Sequence, residues 1–299
     1  MYDTILNQFE IYLVTQKRFS HNTVYSYRKD IEQYTKFFAE KKIPLQNTTK
    51  KEILLFLRWL KVKAFSTRSI ARKIASLRLF YVFTADRYNW HNSAKNICTP
   101  KIEKKLPRYL TEKEVQILLD RAGKEASLVG RRNFFILYLL YITGMRITEL
   151  TQLTIDDIQF DTGFIRITGK GSKQRLVPLP LDALSLMKEY LATVRSTLLK
   201  KYRSLYLFPI IYGGTTKPIS RQACWFILKQ LCIKAGMDSK GISPHQLRHS
   251  LATHLLKQGA NLRSLQLWLG HEQVSTVELY THVEIDHIRK LYDKKHPRS

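Results

Sequence analysis

The sequence predicts a mainly α fold with a small β-sheet, divided into two domains. Three observations lead there. Apolar residues recur at spacings of three and four through most of the chain, and capping residues open several of these runs. Only two short runs, Phe164 to Thr168 and Arg175 to Leu179, have strand composition, and they flank the loop Gly169-Lys170-Gly171-Ser172-Lys173. Between Cys98 and Arg108 the pattern stops: Pro100 and Pro107 bracket Lys101, Lys104 and Lys105 with little apolar content. That is the composition of an interdomain linker. The domains are therefore placed at residues 1–97 and 109–299, with 98–108 between them.

The N-terminal domain reads as four helices. The first puts Ile5, Phe9, Tyr12 and Leu13 on one stripe. The second follows Ser20 and carries Val24, Tyr27, Ile31, Tyr34 and Phe38. The third opens with the capping box Thr49-Lys50-Lys51-Glu52, then presents Ile53, Phe56, Leu57 and Leu60. The fourth follows Ser66 and Thr67 and turns Ile70, Ile74, Leu77 and Tyr81 inward. Its other side is expected to show Arg68, Arg72, Lys73 and Arg78, a basic face suited to phosphates or the major groove.

A second capping box, Thr111-Glu112-Lys113-Glu114, opens the C-terminal domain. Arg131 to Tyr141 is apolar nearly all round and predicts a buried helix ended by Gly144. Arg146 sits just past that turn, ahead of a short helix with Glu149, Leu150 and Leu153. Asp156-Asp157 and Asp161-Thr162-Gly163 read as turns before the two strands. Leu181 to Leu199 is helical, Leu205 to Pro218 loop-like around Gly213-Gly214, and Ser220 to Ala235 helical again. Ser243 suits an N-cap and Pro244 the first helical position. Gly259 and Gly270 stop the two helices that follow. The chain ends in the basic tail KKHPRS and contains no internal repeat.

The charge narrows the function. The 299 residues hold 50 Lys and Arg against 24 Asp and Glu, a net +26. Residues 1–105 carry 21 basic and 8 acidic side chains and residues 106–299 carry 29 and 16, so each part contributes +13. Two basic halves point to nucleic acid gripped by both. Cys98, Cys224 and Cys232 form no metal-ligand spacing, and their odd number and scatter argue against a disulfide framework and for a reducing cytosol. The N-terminus lacks a signal pattern. The longest apolar run, Phe134 to Ile142, is far short of the ~20 residues a membrane span needs. The expectation is a soluble, cytoplasmic protein without a membrane partner.

The stretch Ser243 to Thr281 concentrates the chemistry. It holds His245, Arg248, His271 and Tyr280. His245 and Arg248 share a helix face, with Cβ atoms roughly 5–6 Å apart. Two imidazoles, a guanidinium and a phenol could attack a phosphodiester without a metal. Each candidate alone has an ordinary reading. Arg146 could satisfy carbonyls at a helix end, and Lys170 could be a solvated hairpin lysine. His245 could be a first-turn polar residue, His271 a residue after a C-cap glycine, and Tyr280 part of an amphipathic helix.

Taken in order, TGMRITEL, ITGKGSKQRLVPL, SPHQLRHSLATHLL, LGH and STVELYTHV resemble the successive boxes of the tyrosine recombinases, the phage-integrase-like family. STRSIARKIASLRLFY, LPRYLTEKEV and the terminal HPR are similar to its Xer branch of site-specific recombinases, so the resemblance spans essentially the whole chain. It implies a helical, SAM-like core-binding domain and a mostly helical catalytic domain that form a C-shaped clamp on DNA. It also implies catalytic roles for Arg146, Lys170, His245, Arg248, His271 and Tyr280, with Tyr280 the nucleophile that bonds covalently to the 3′-phosphate, and a supporting role for Glu149. Arg68, Arg72, Lys73, Arg78, Lys101, Lys104 and Lys105 are the expected DNA-binding residues. Neither metal nor other cofactor is implied.

The implied activity is cutting and rejoining of DNA through a 3′-phosphotyrosyl link and a Holliday junction, resolving chromosome or plasmid dimers. The alternative is an integrase of a phage, plasmid or transposon with the same chemistry. A type IB topoisomerase and a non-catalytic DNA-binding protein are the other readings; the intact Tyr280, Lys170 and arginine pair argue against the last. The implied partners are double-stranded DNA with paired inverted half-sites and a homo- or hetero-tetramer. A second Xer-type recombinase and a septal DNA translocase of the FtsK type complete the set. Asp286 to Tyr292, with Ile288 and Leu291, matches the segment that docks in trans. Three places depart from the family pattern: Phe208-Pro209-Ile210 replaces a more polar run, Trp268 is bulkier than the usual aliphatic, and Asn92-Ser93 replaces a frequent Asn-Pro.

Overall fold

A computed structural model of the chain describes residues 2–102, 109–169, 173–239 and 242–270. The chain divides into two compact units, Met1–Lys105 and Leu106–Ser299. Among the described residues both are built mainly from helices, with two small antiparallel sheets in the second.

In the first unit, helices α1 (Tyr2–Thr15), α2 (His21–Glu40), α3 (Lys50–Val62) and α4 (Thr67–Tyr88) surround one core. The Thr49 capping box opens α3, and the Ser66 hydroxyl accepts from the Ser69 amide to open α4. The core is rich in rings: Phe9 meets Phe80 edge to face at 5.3 Å, and the Tyr34 and Tyr81 hydroxyls pair at 2.8 Å. Those buried hydroxyls satisfy each other, which removes the cost of desolvating them unpaired. The Ser93 hydroxyl donates to the Thr48 carbonyl at 2.6 Å, so the Asn-Ser departure supplies a structural bond.

The basic face expected on α4 requires correction. Arg68 and Arg72 are exposed. Lys73 is buried, 4% exposed, and its Nζ donates to Asp30 Oδ1 at 2.7 Å. Arg72 donates to Asp30 Oδ2 at 2.7 Å, and Arg78 is partly buried with an Nη donating to the Ile97 carbonyl. The helix packs against both α1 and α2, so its buried surface is wider than one apolar stripe and takes in Lys73 on the flank.

The second unit starts with α5 (Glu112–Gly123) behind the Thr111 capping box, followed by α6 (Leu128–Thr143). Every residue of α6 from Phe135 to Thr143 is buried, as a helix apolar all round requires. Next come α7 (Ile147–Gln152) and a sheet of β1 (Ile158–Gln159), β2 (Phe164–Thr168) and β3 (Gln174–Pro178) in that order. Ile165 pairs with Ile158 on one side and Val177 on the other. Helix α8 (Leu181–Glu189) runs through a π-helical segment, Tyr190–Arg195, into α9 (Ser196–Leu199). The sequence predicts one uninterrupted helix there; the π segment is a difference its periodicity did not reveal.

A second difference lies in the expected loop from Leu205 to Pro218. It contains an antiparallel hairpin, β4 (Pro209–Tyr212) with β5 (Thr215–Pro218). Gly213 and Gly214 both have positive φ, 58° and 75°, the requirement of a two-residue turn that matches strand twist. Preceding β4, Phe208 is buried between Phe135 and Tyr190, so this departure from the family pattern fills core. The last described elements are α10 (Arg221–Lys234), α11 (Pro244–Lys257) and α12 (Leu262–Leu269). Among the described residues, no helix is long and apolar enough to cross a membrane.

Candidate active site

Five chain segments of the second unit meet at one place: the end of α6, the start of α7, the base of the β2–β3 hairpin, the first turns of α11 and the end of α12. Glycine makes the meeting possible. Gly144 caps α6 with φ 60°, and a Cβ there would lie 2.7 Å from Leu269 Cδ2 and 2.9 Å from Leu251 Cδ2. Any side chain would push α11 and α12 away. Trp268, 1% exposed, locks the same junction by donating its indole N–H to the Thr143 carbonyl at 3.0 Å. The bulky departure before the LGH box therefore bridges two helices.

Arg146 is the N-cap of α7. Its backbone amide donates to Glu149 Oε2 at 2.7 Å and its Nη1 to Glu149 Oε1 at 2.9 Å. The other Nη donates to the Gly270 carbonyl at 3.1 Å. The side chain remains 41% exposed, so this guanidinium is held through both terminal nitrogens and still presents surface to a ligand. Arg248 projects from α11 and is only 6% exposed. Its Nη1 donates to the Gly144 carbonyl at 2.7 Å and its Nη2 to the Leu269 carbonyl. Burial, with the charges of Arg146 and Arg175 beside it, pulls its pKa down to about 10, so it stays charged at neutral pH. His245 is on the second position of α11 and is exposed. The Ser243 side chain accepts from the Gln246 amide at 3.4 Å, and Pro244 follows it as the sequence predicts.

Glu149 lies beneath these cations, its side chain 3% exposed. Burial alone would raise its pKa, but the hydrogen bonds and charge of Arg175, then the Arg146 bonds, outweigh that and hold it below the usual carboxylate range. Arg175 was not among the residues singled out from the sequence. Its Nη1 and Nη2 make a two-pronged bond to Glu149 at 3.0 and 2.7 Å, and its Nε donates to the Trp268 carbonyl at 2.9 Å. The signal that could have found it is strand alternation: Arg175 lies on the same β3 face as the fully buried Val177. The last carbonyls of α12 thus each hold a different arginine: Trp268 takes Arg175, Leu269 takes Arg248 and Gly270 takes Arg146.

The structure brings together Arg146, Arg248 and Glu149. Lys170, His271, Tyr280 and the segment Asp286 to Tyr292, with Ile288 and Leu291, lie outside the described residues. Lys104 and Lys105 do too, whereas Lys101 is described and exposed. Two permanently charged planar forks at one point can neutralise a phosphodiester and the charge that builds on its non-bridging oxygens.

Comparison with known proteins is consistent in both units. Residues 108–287 match the model of the phage integrase family, and residues 6–87 match that of the phage integrase N-terminal SAM-like domain. Tyrosine recombinase XerD of Staphylococcus saprophyticus is 40% identical over 299 residues, covering 99% of this chain and 100% of that protein. The XerD of Staphylococcus aureus is 38% identical over the same span. Among solved structures, the XerH site-specific recombinase bound to its difH substrate in a pre-cleavage complex has a TM-score of 0.70. That match is 24% identical and covers 90% of this chain and 76% of that one. The Tn1549 transposon integrase in complex with a circular intermediate DNA also scores 0.70, at 17% identity, covering 95% and 99%. At those identities the structural likeness is one of fold.

Proposed function

We propose, from the premise that this chain belongs to the phage integrase family and is a tyrosine site-specific recombinase of the Xer type, that Arg146, Arg248, His245, Lys170, His271 and Tyr280 form its strand-cutting site. The observation that carries the assignment is the junction at α12. Arg146 and Arg248 come from elements far apart in sequence, yet both reach the carbonyls of Gly270 and Leu269. The chain passes directly from that point to His271 and Tyr280.

The chemistry follows from the residues. Tyr280 Oη attacks the phosphorus, a 5′-oxygen leaves, and the DNA 3′-phosphate becomes bonded to the protein. An unperturbed phenol has a pKa near 10, so its proton needs an acceptor, and exposed His245 is suited to that task. Lys170 supplies a proton to the leaving 5′-oxygen. Arg146, Arg248 and His271 bind the non-bridging oxygens, and losing one such donor costs about 3–4 kcal/mol in the transition state. The new ester conserves the bond energy, so a 5′-hydroxyl from a second duplex reverses the reaction on a new partner.

The further reading is resolution of chromosome or plasmid dimers in the cytoplasm by a tetramer passing through a Holliday junction. Full-length likeness to proteins named XerD supports it. Arg68, Arg72 and Lys101, all exposed, are its DNA-phosphate residues among those described. Lys104 and Lys105 extend this set. Asp286 to Tyr292 is the segment proposed to dock on a neighbouring subunit. The test uses a nicked suicide substrate carrying paired inverted half-sites. The unaltered protein should form a covalent adduct resistant to denaturant, and Tyr280→Phe should bind the site but form none. An adduct with Tyr280→Phe would overturn the assignment of the nucleophile.

A further inference from the structure

We propose that Arg175 is a positioning residue for the reaction, a buried guanidinium that sets Arg146 on one side and the end of α12 on the other. The inference rests on the function proposed above. Four segments bear the reacting groups: the start of α7, the β2–β3 hairpin, the first turns of α11 and the chain leaving α12. Arg175 belongs to the hairpin and bonds to the first and the last of them. Through Glu149 it braces Arg146; through the Trp268 carbonyl it seats the last turn of α12.

Each of its nitrogens is committed. Nη1 and Nη2 donate to the two Glu149 oxygens and Nε to Trp268. The side chain is 5% exposed, and all three of its nitrogens already donate within the protein. Its contact with α12 is close: a Cβ on Gly270 would lie 3.1 Å from Arg175 Cδ and 3.2 Å from Nη1. Gly270 therefore serves this packing as well as the left-handed cap with φ 65°. The hairpin base lies against the same carboxylate, since a Cβ on Gly169 would lie 3.4 Å from Glu149 Oε1.

Electrostatics explain why an arginine is required. Arg146 faces Glu149 from the α7 N-cap, Arg175 from β3 and Arg248 from α11. The fork of Arg175 matches both carboxylate oxygens at once, which fixes the plane of Glu149 and so the direction in which Arg146 is held. Without it, burial would favour protonated Glu149, which can no longer accept freely from Arg146.

The test is single-turnover adduct formation on the nicked substrate between pH 5 and 8, with site affinity and thermal unfolding measured on the same full-length proteins. Arg175→Met should bind the site within about threefold of the unaltered protein but cut it about a hundredfold more slowly, the loss expected when a preorganised donor is misplaced. Its rate should also gain an acid limb, falling as pH drops. Arg175→Lys, which keeps one charged donor, should recover about tenfold of that loss. Cutting by Arg175→Met within threefold of normal would overturn the proposal. Equal loss in both variants with no new acid limb would too, because it would indicate a role in folding alone. If Arg175→Met shows no cooperative melt, Arg175→Lys decides: about tenfold slower cutting with normal affinity and an acid limb supports the proposal, and unchanged cutting refutes it. Failure of the unaltered protein to form any adduct would instead remove the function on which the inference rests.

Discussion

Replacing Glu149 by Gln tests the electrostatic base of the site. The carboxylate takes four hydrogen bonds, two from Arg175, one from the Arg146 side chain and one from the Arg146 amide. Its side chain is 3% exposed and that of Arg175 5%, so water cannot replace what is lost. Removing one member of such a buried pair costs about 3–5 kcal/mol, because the remaining charge stays desolvated. The amide oxygen of Gln still accepts, which puts the expectation near the lower end, about 3 kcal/mol. For a unit the size of Leu106–Ser299, that corresponds to a fall in melting temperature of roughly 6–12 °C. Scanning calorimetry at pH 7.5 would measure it on the transition of this unit. The pH dependence has a definite sign. The folded pKa of Glu149 lies below its ordinary value of 4.5, so its stabilisation is complete above that value and lost as pH falls through the folded pKa. The gap between the two proteins should stay constant from pH 8 to about 5.5 and close below about 4.5. A fall under about 2 °C at pH 7.5, or a gap that widens in acid, would refute the reasoning.

Three other perturbations separate packing from DNA contact. Gly144→Ala forces a Cβ to within 2.7 Å of Leu269 and keeps a left-handed φ of 60°; it should destabilise the protein by about 2–4 kcal/mol in a urea titration. Lys73→Met leaves Asp30, 1% exposed, with Arg72 as its one ion-pair partner among the described residues. It should cost about 3 kcal/mol of stability without altering the salt dependence of DNA binding. Arg68→Ala should do the reverse, leaving the melt within about 0.5 kcal/mol and lowering the slope of log affinity against log salt by about 1.

Much of the candidate site was legible residue by residue. The capping boxes at Thr49 and Thr111, the Ser243-Pro244 helix start, and the stops at Gly144, Gly259 and Gly270 all stand where the sequence places them. The sequence singles out Arg146, Glu149 and Arg248, and the structure brings them together. The Gly213-Gly214 hairpin was missed because its strands are four residues each and mix apolar with polar side chains, too short for alternation to stand out. Lys73 was misread because one stripe of apolar residues does not reveal how many neighbours a helix will have.

What the sequence determined by itself is local or cumulative. Helices and their ends follow from side chains three or four positions apart; affinity for a polyanion follows from charge summed over the chain. Only the tertiary structure decided which cations are bonded deep within the protein and which stay exposed. Lys73 bonds to Asp30 across 43 positions, Arg175 to Glu149 across 26 and Arg248 to Leu269 across 21. The identity of an arginine is written in the chain, but its partner depends on which segments the core brings together. That is why Arg146 keeps an exposed fork and Arg175 a buried one, although the two are alike in sequence.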